Sequence, residues 1–373
     1  MASRDLMVVG GGVIGCSIAW AAARQGSRVT VVERGNIGNG ASWAAGGMLA
    51  PLAESDGATP FLQLCRYSAK LYPDFVAELQ SAVGIDVEYR TEGTLYLSLR
   101  EEDDEELETR FRWQSQSGLN VERLAAKDAL RLESSLNPAV RWALFYPEDR
   151  QVNNRRLVTA VHQAAAAAGV FFRVNSNVEE IVFEGTPPDL CVRGLRVDGD
   201  NLKAGKVIIA AGAWSSRIGG STATGVLPVR GQMISVRNLA PPVRHVIYSP
   251  RAYLVPRLDG GLIAGSTVEE AGFDCSNTPG GISSITTNVS EMLPEFATQP
   301  IIETWAGLRP RAADRLPVIG PDPLAGGLFH ATGHYRNGIL LAPVTARIIV
   351  DLLAGVEPAI DILPFSPVRN SIV

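Results

Sequence analysis

The chain has 373 residues, 46% of them apolar, and a formal net charge of −5. That length allows two domains or one large composite one with a sizeable core, and so mild a charge argues against nucleic acid or an anionic membrane as partner. Cys16, Cys65, Cys191 and Cys275 lie far apart without a CxxC pair, so no metal site or disulfide framework is indicated, and a reduced, cytoplasmic protein fits best. No apolar run reaches bilayer-spanning length. The apolar Leu6 to Ala23 lacks the basic start of a signal peptide.

In chain order, Asp5 to Val9 reads as a short strand, GGGVIG follows, an Ala-rich helix runs to about Gln25, and Ser27 to Glu33 is a second strand. Together they form a βαβ unit. Gly35 to Gly47 reads as loop opening into helix, and Phe61 to Val83 as amphipathic helix. Val87 to Leu99 suggests strands around a turn at Glu92-Gly93. The acidic run Glu101 to Glu108 reads as a solvated first helical turn, Val121 to Leu132 as helix, and Trp142 to Tyr146 as strand. Asn153 to Gly169 is a helix closed by glycine, Val170 to Val174 and Val178 to Phe183 are strands, and Asn201 to Gly205 is a hairpin turn.

Lys206 to Ser216, KVIIAAGAWSS, is a buried strand running into a loop. Val229 to Val236, Arg244 to Ile247, Tyr253 to Pro256 and Leu262 to Ala264 crowd together with turn residues between them, which predicts an antiparallel sheet. Ile282 to Met292 is helical. Short segments at Thr304 to Pro310, Val318 to Gly320 and Leu328 to Ala331 precede a last helix that begins near Gly338 or at Pro343 and runs to about Leu353.

Gly10, Gly12 and Gly15 form GxGxxG between a strand and a helix. The first glycine permits the tight turn, the second lets a pyrophosphate approach the backbone, and the third lets helix and strand pack closely. Glu33 stands 18 residues after Gly15, where a carboxylate accepts from ribose hydroxyls and repels a 2′-phosphate. Two features favour FAD over NAD: the Gly/Ala/Ser-rich loop after Glu33, and the late return of KVIIAAGAW to the same sheet. The parallel-type segments enclose the antiparallel ones. The predicted class is therefore α/β in an α+β composite: a Rossmann-like FAD-binding domain (1–85, 150–220 and 305–373) interleaved with an antiparallel-sheet substrate domain (86–149 and 221–304).

GGGVIG, GASWAAGGML from Gly40, KVIIAAGAW, YLVPR from Tyr253, WAGLRP from Trp305 and GHYRNGILLAP from Gly333 occur in one order over nearly the whole chain. This set resembles the FAD-dependent oxidases of the D-amino acid oxidase type, and among them the glycine oxidases of thiamine biosynthesis. The resemblance implies that Val13 and Ile14 lie at the pyrophosphate turn, with Glu33 and Arg34 at the adenosine and Val178 at the adenine. It places Ala41 and Ser42 along the pyrophosphate and ribityl, and Gly46, Gly47 and Met48 beside the flavin ring. His334, Tyr335, Arg336, Asn337, Gly338, Ile339 and Leu340 would wrap the pyrimidine end. Tyr253, Arg309 and Arg336 match substrate-contacting positions. Arg251 and Val268 stand where a histidine and a methionine are expected, and both are placed in the pocket lining. Some relatives bind flavin through a cysteine in the C-terminal region. All four cysteines here precede residue 276, so a non-covalent flavin is expected, in a homo-oligomer (dimer or tetramer).

Oxidising an amino acid moves a hydride from its α-carbon to the flavin, which requires that carbon to be held in place. The carboxylate is the natural handle, and arginine grips it bidentately. Arg309 and Arg336 are the candidates, and Tyr253 would donate to the same carboxylate or close the pocket. No motif contains a Ser-His-Asp set or a carboxylate pair, so orientation and flavin electronics carry the reaction. The expected reaction takes glycine, sarcosine and small D-amino acids with O2 to an imine, then to glyoxylate or another 2-oxo acid, ammonia and H2O2. A dehydrogenase feeding a membrane quinone would need a docking segment that the sequence lacks. A non-catalytic dinucleotide-binding module leaves Arg309 and Arg336 unexplained. Trp214 and Trp305 read as packing residues, His162 and His245 as ordinary packing or surface histidines, and His330 has no evident partner.

Overall fold

The structure, a computed structural model, describes residues 5–220 and 225–371. A six-stranded sheet runs in the order Val318–Pro321, Leu328–Thr332, Lys206–Ile209, Asp5–Val9, Arg28–Val32, Phe171–Arg173. It is parallel except for Val318–Pro321. Its strands are apolar on both sides, as a sheet covered on both faces demands. Leu6, Val8, Val31 and Ile208 pack on the helices Val13–Arg24, Asn154–Ala167 and Ala342–Leu353. The alternate residues Met7, Val9, Val32 and Ile209 pack on a three-stranded sheet of Val178–Glu184, Cys191–Val197 and Asp200–Lys203.

The second large sheet has eight strands in the order Ile301–Arg311, Leu227–Arg237, Gly261–Gly265, Tyr253–Pro256, Val246–Tyr248, Thr94–Ser98, Trp142–Tyr146, Glu122–Ala125. It is antiparallel apart from the pairing of Val246–Tyr248 with Thr94–Ser98. Period-2 alternation again sorts the faces. Leu254, Leu262 and Ile234 lie under the helix Pro279–Met292, while Tyr253, Val255, Met233 and Trp305 face the other way. That second face is the wall of the site.

Three local expectations are corrected. Val121 to Leu132 is not one helix: Glu122–Ala125 is a strand and only Ala126–Leu132 is helical. The strand Trp142–Tyr146 offers it a ladder of backbone partners, and tertiary pairing overrides local propensity. Asn201 to Gly205 is not the turn, because Asp200–Lys203 is a strand. The turn is Asp198-Gly199, with φ +51° and +85°, as a two-residue hairpin requires. The acidic run is not wholly solvated: Asp103 is 2% exposed, accepts from the amides of Leu99 and Arg100 at 3.0 and 2.9 Å, and caps the helix Glu101–Gln116.

His330 does have a partner, Asp322, at 2.8 Å. Among the described residues, no helix is long and apolar enough to cross a membrane, and no group of three or more His, Cys, Asp or Glu side chains is placed to hold a metal.

Candidate active site

A cavity of about 990 Å³ runs from the GxGxxG turn to the face of the eight-stranded sheet. At one end stand the three glycines. Gly10 has φ +106°, and a Cβ there would lie 2.4 Å from the Ala210 carbonyl oxygen. A Cβ on Gly15 would lie 1.9 Å from the Gly10 oxygen, so Gly15 sets the packing and does not itself line the cavity. A Cβ on Gly12 would meet only the Ser42 Oγ, at 3.2 Å, and would otherwise point into open space. The helix Val13–Arg24 has no side-chain cap. The Val13 amide donates to Ser42 Oγ at 3.0 Å, and among the described residues the amides of Gly12 and Ile14 donate to nothing. These are ready donors for an anion at a helix N-terminus. The Glu33 carboxylate accepts from the amides of Gly11 and Gly35 at 2.7 and 2.9 Å, which fixes it at the strand end. Arg34 lies 3.5 Å over the Trp214 ring, and Ala41 and Val178 complete this half of the lining.

At the other end the wall is Gly46, Gly47 and Met48. Arg257 holds it from behind. This arginine is 7% exposed and donates to the carbonyls of Val152 and Gly46 and to Asn154 Oδ1. Burial pulls its guanidinium down to about 10. Opposite, Gly333 and Tyr335 take positive φ (+72° and +47°) and turn the chain toward the cavity. Tyr72 and Ser68, from the helix Pro60–Val83, donate to the carbonyls of Ile339 and Leu340 at 2.6 Å each. With those carbonyls drawn into the core, the amides of Gly338, Ile339 and Leu340 have no acceptor among the described residues. The helix itself starts at Ala342 with Pro343 second, so 337–341 forms a turn ahead of it. The His334 ring faces away, bonded to Thr345 Oγ1 at 3.0 Å, and burial lowers its pKa to about 3, so it is neutral.

Two guanidinium groups open on this end. Arg309 shares a strand face with Trp305 and Gly307. Its nitrogens donate to Thr267 O at 3.1 Å, Ser266 Oγ at 2.6 Å and, at 3.4 Å, Arg230 O. Arg336 is exposed to the cavity and has no hydrogen-bond or ion-pair partner among the described residues. Enclosure by protein would lower its pKa, but Glu54, with Tyr248, Tyr253 and Tyr335, outweighs that and holds it above the ordinary arginine value. Tyr253, 7% exposed, lies with its ring tilted against that of Tyr248, 5.6 Å between centroids, and its hydroxyl reaches Met233 Sδ at 3.3 Å.

The cavity is thus long, with amides lacking an acceptor among the described residues at both ends and positive charge in excess at one. The family described as FAD dependent oxidoreductase (DAO) matches residues 5–352. The chain belongs to the FAD-dependent oxidoreductase family. The oxidoreductase uses FAD, and the free amides of the GxGxxG turn and of Gly338 to Leu340 fit that cofactor's phosphate and electron-rich ring edge. It is 34% identical over 370 residues to a glycine oxidase of Geobacillus kaustophilus, covering 98% of this chain and 97% of that one. The crystal structure of glycine oxidase from Geobacillus kaustophilus superposes with a TM-score of 0.92 at 33% identity, covering 98% of each chain. A bifunctional protein ThiO/ThiG of Trichormus variabilis is 34% identical over 94% of this chain, which spans 53% of that longer protein. The oxidoreductase is therefore glycine oxidase-like along its whole length.

The cavity brings together Gly10, Gly12, Val13, Ile14, Glu33, Arg34, Ala41, Ser42, Gly46, Gly47, Met48, Val178, Tyr253, His334, Tyr335, Arg309, Arg336, Gly338 and Ile339. Gly15, Asn337 and Leu340 support it from behind. Arg251 is not brought to it: its guanidinium grips the Asp103 carboxylate at 2.7 and 2.8 Å, outside the lining. Val268 is 57% exposed and also outside the lining. Trp214 lines the cavity as well as packing. Sequence reasoning missed Glu54, Met233 and Ser266, which also line it. Only Glu54 is charged, and no motif marked it.

The Glu54 loop is held by Arg110, which donates to the carbonyls of Ala53 and Ser55 at 3.2 and 2.8 Å, and by Gln114 Nε2, which donates to Leu52 O at 3.0 Å. Beneath it lies Asp149, fully buried without a hydrogen bond of ordinary geometry; burial pushes its carboxyl up to about 8. An unfolded aspartate titrates near 4. The folded protein therefore keeps a proton that the unfolded chain releases, and Asp149 destabilises progressively from about pH 4 to pH 8. Asp149→Asn is expected to raise the melting temperature at pH 8 by several degrees and to have little effect at pH 4. A gain of equal size at both pH values would rule out this titration.

Proposed function

We propose that the oxidoreductase oxidises glycine and other small amines and amino acids, sarcosine and small D-amino acids among them, to the imine and then to glyoxylate or another 2-oxo acid, ammonia and H2O2. The observation that carries this is the pair of guanidinium groups, Arg336 and Arg309, open on one cavity with no carboxylate bonded to either among the described residues. The whole-length similarity to glycine oxidases supports the substrate class. When bound, FAD supplies the acceptor for the α-hydride and passes the electrons to dioxygen.

The chain's own residues bind and orient. Arg336 takes the substrate carboxylate through charge-assisted bonds, Arg309 adds a second positive charge, and the Tyr253 hydroxyl donates to the same group. Met48 and the Gly46-Gly47 backbone, fixed by Arg257, shape the opposite wall. Among the described residues the lining offers no effective histidine base, since burial leaves His334 only weakly basic and its ring is bonded to Thr345, so the amine enters deprotonated from solvent.

Adding glycine to the pure holoprotein in air should yield H2O2 and glyoxylate in equal amounts, and acid precipitation should release all yellow colour as free FAD. Bleaching by glycine without peroxide would point to another electron acceptor, and colour retained in the pellet would refute a non-covalent flavin.

Four further readings belong to this proposal. The two large sheets support two interleaved domains, an FAD-binding one and a substrate one. Exposed Ile301 and Ile302, 62% and 58% accessible on the edge strand, favour a homo-oligomer, which a sedimentation mass near the 39.8 kDa of one chain would exclude. Four unpaired cysteines suit a reducing cytoplasm, and similarity to ThiO/ThiG proteins favours a role in thiamine (thiazole) biosynthesis. A deletion strain that grows without added thiazole would remove that role.

A further inference from the structure

The charged groups lining the cavity fall into two sets. Glu33, Arg34, Glu179 and Arg217 gather at the GxGxxG end, where Arg34 feels Glu33 and Arg217. Arg309, Arg336 and Glu54 gather at the other end, where Arg336 is surrounded by Glu54, Tyr248, Tyr253 and Tyr335. His334 is neutral and burial keeps the Tyr248 phenol protonated, so two arginines against one glutamate leave this second set a net charge of +1. Glu54 is the only acid in it.

Glu54 is also fixed. Its carboxylate accepts from the buried Tyr248 hydroxyl at 2.7 Å, and that hydroxyl also lies 2.8 Å from Met48 Sδ on the cavity wall. Arg110 and Gln114 hold its loop from behind. Held this way, it cannot swing out to solvent when a ligand enters. Its carboxylate lines the same cavity as Arg309, Arg336 and Met48, and its charge acts on Arg336.

We propose that Glu54 is a specificity-determining residue that excludes ligands carrying a second negative charge. A net charge of +1 is neutralised by one carboxylate. A second anionic group would meet a fixed carboxylate in a poorly hydrated space, where like charges repel far more strongly than in water. Negative discrimination of this kind selects as effectively as an attractive contact. The inference rests on the amino-acid reading for its biological meaning, but binding can test it without turnover.

The test titrates the visible FAD spectrum of the holoprotein at pH 8 with malonate and with malonamate, a ligand of nearly the same shape bearing one charge. The wild type should bind malonamate at least about tenfold tighter. Glu54→Gln should erase that preference, and Glu54→Asp should keep it. Equal wild-type affinity for the two ligands would overturn the inference, because the second arginine would then be welcoming the second carboxylate; so would a Gln variant that keeps the preference. Should Glu54→Gln fail to fold, the wild-type comparison alone decides. The glycine and peroxide assay reports separately on the amino-acid reading.

Discussion

Arg336→Leu is expected to lower kcat/KM for glycine by roughly a hundredfold, mainly through KM, because a charge-assisted bond to a carboxylate contributes about 3 kcal/mol in a poorly hydrated site. The structure gives this residue nothing else to do. It has no partner among the described residues, sits on a loop turned inward by Gly333 and Tyr335, and is kept charged by Glu54 and three tyrosines. An arginine that served stability would be bonded, as Arg230 is to Glu269 and Asp274. The melting temperature of Arg336→Leu should therefore stay within a degree or two of wild type, which separates a binding role from a structural one. Arg309→Leu should differ, because the carbonyl of Thr267 and the hydroxyl of Ser266 lose their donor as well; activity and thermal stability should fall together. An unchanged glycine KM in Arg336→Leu would leave the carboxylate to Arg309.

The second large effect separates the glycines. Gly15→Val should yield little folded protein. A side chain there starts 1.9 Å from the Gly10 oxygen, inside the contact of helix and strand, and relieving such an overlap costs at least about 3 kcal/mol. Gly12→Val should fold. Its φ of −76° suits any residue, and its Cβ would face open cavity apart from Ser42 Oγ. That open space is where the phosphates must approach the backbone, so the variant should purify colourless, with an apoprotein melting temperature close to that of the wild-type apoprotein. FAD retention by Gly12→Val, read as absorbance near 450 nm against 280 nm, would show that the cofactor does not approach there.

What the sequence disclosed follows from the range of each interaction. The βαβ unit and GxGxxG are local, and hydrophobic period with three glycines was enough to place them. The period-2 runs likewise located most of the eight-stranded sheet. Edge pairing was not legible. Glu122–Ala125 is a strand because Trp142–Tyr146 lies beside it, and nothing in the segment itself reports that neighbour. The same limit hid Glu54 and misplaced Arg251. Glu54 reaches the cavity through a hydroxyl at Tyr248, and Arg251 is taken by Asp103 from a helix 148 residues earlier. Both depend on partners distant in sequence, whereas Arg336 stood out because glycines flank it in its own loop.

The bonds from Ser68 and Tyr72 to Leu340 and Ile339 join residues 272 and 267 positions apart. During synthesis, the turn at Gly10 to Gly15 leaves the ribosome early, but the amides at Gly338 to Leu340 cannot be presented until some three hundred further residues have followed. Cofactor loading is therefore a late event in the life of the nascent chain. Until then the long helix Pro60–Val83 holds two hydroxyls waiting for carbonyls that do not yet exist, and their capture marks the moment at which the two ends of the cavity become one site.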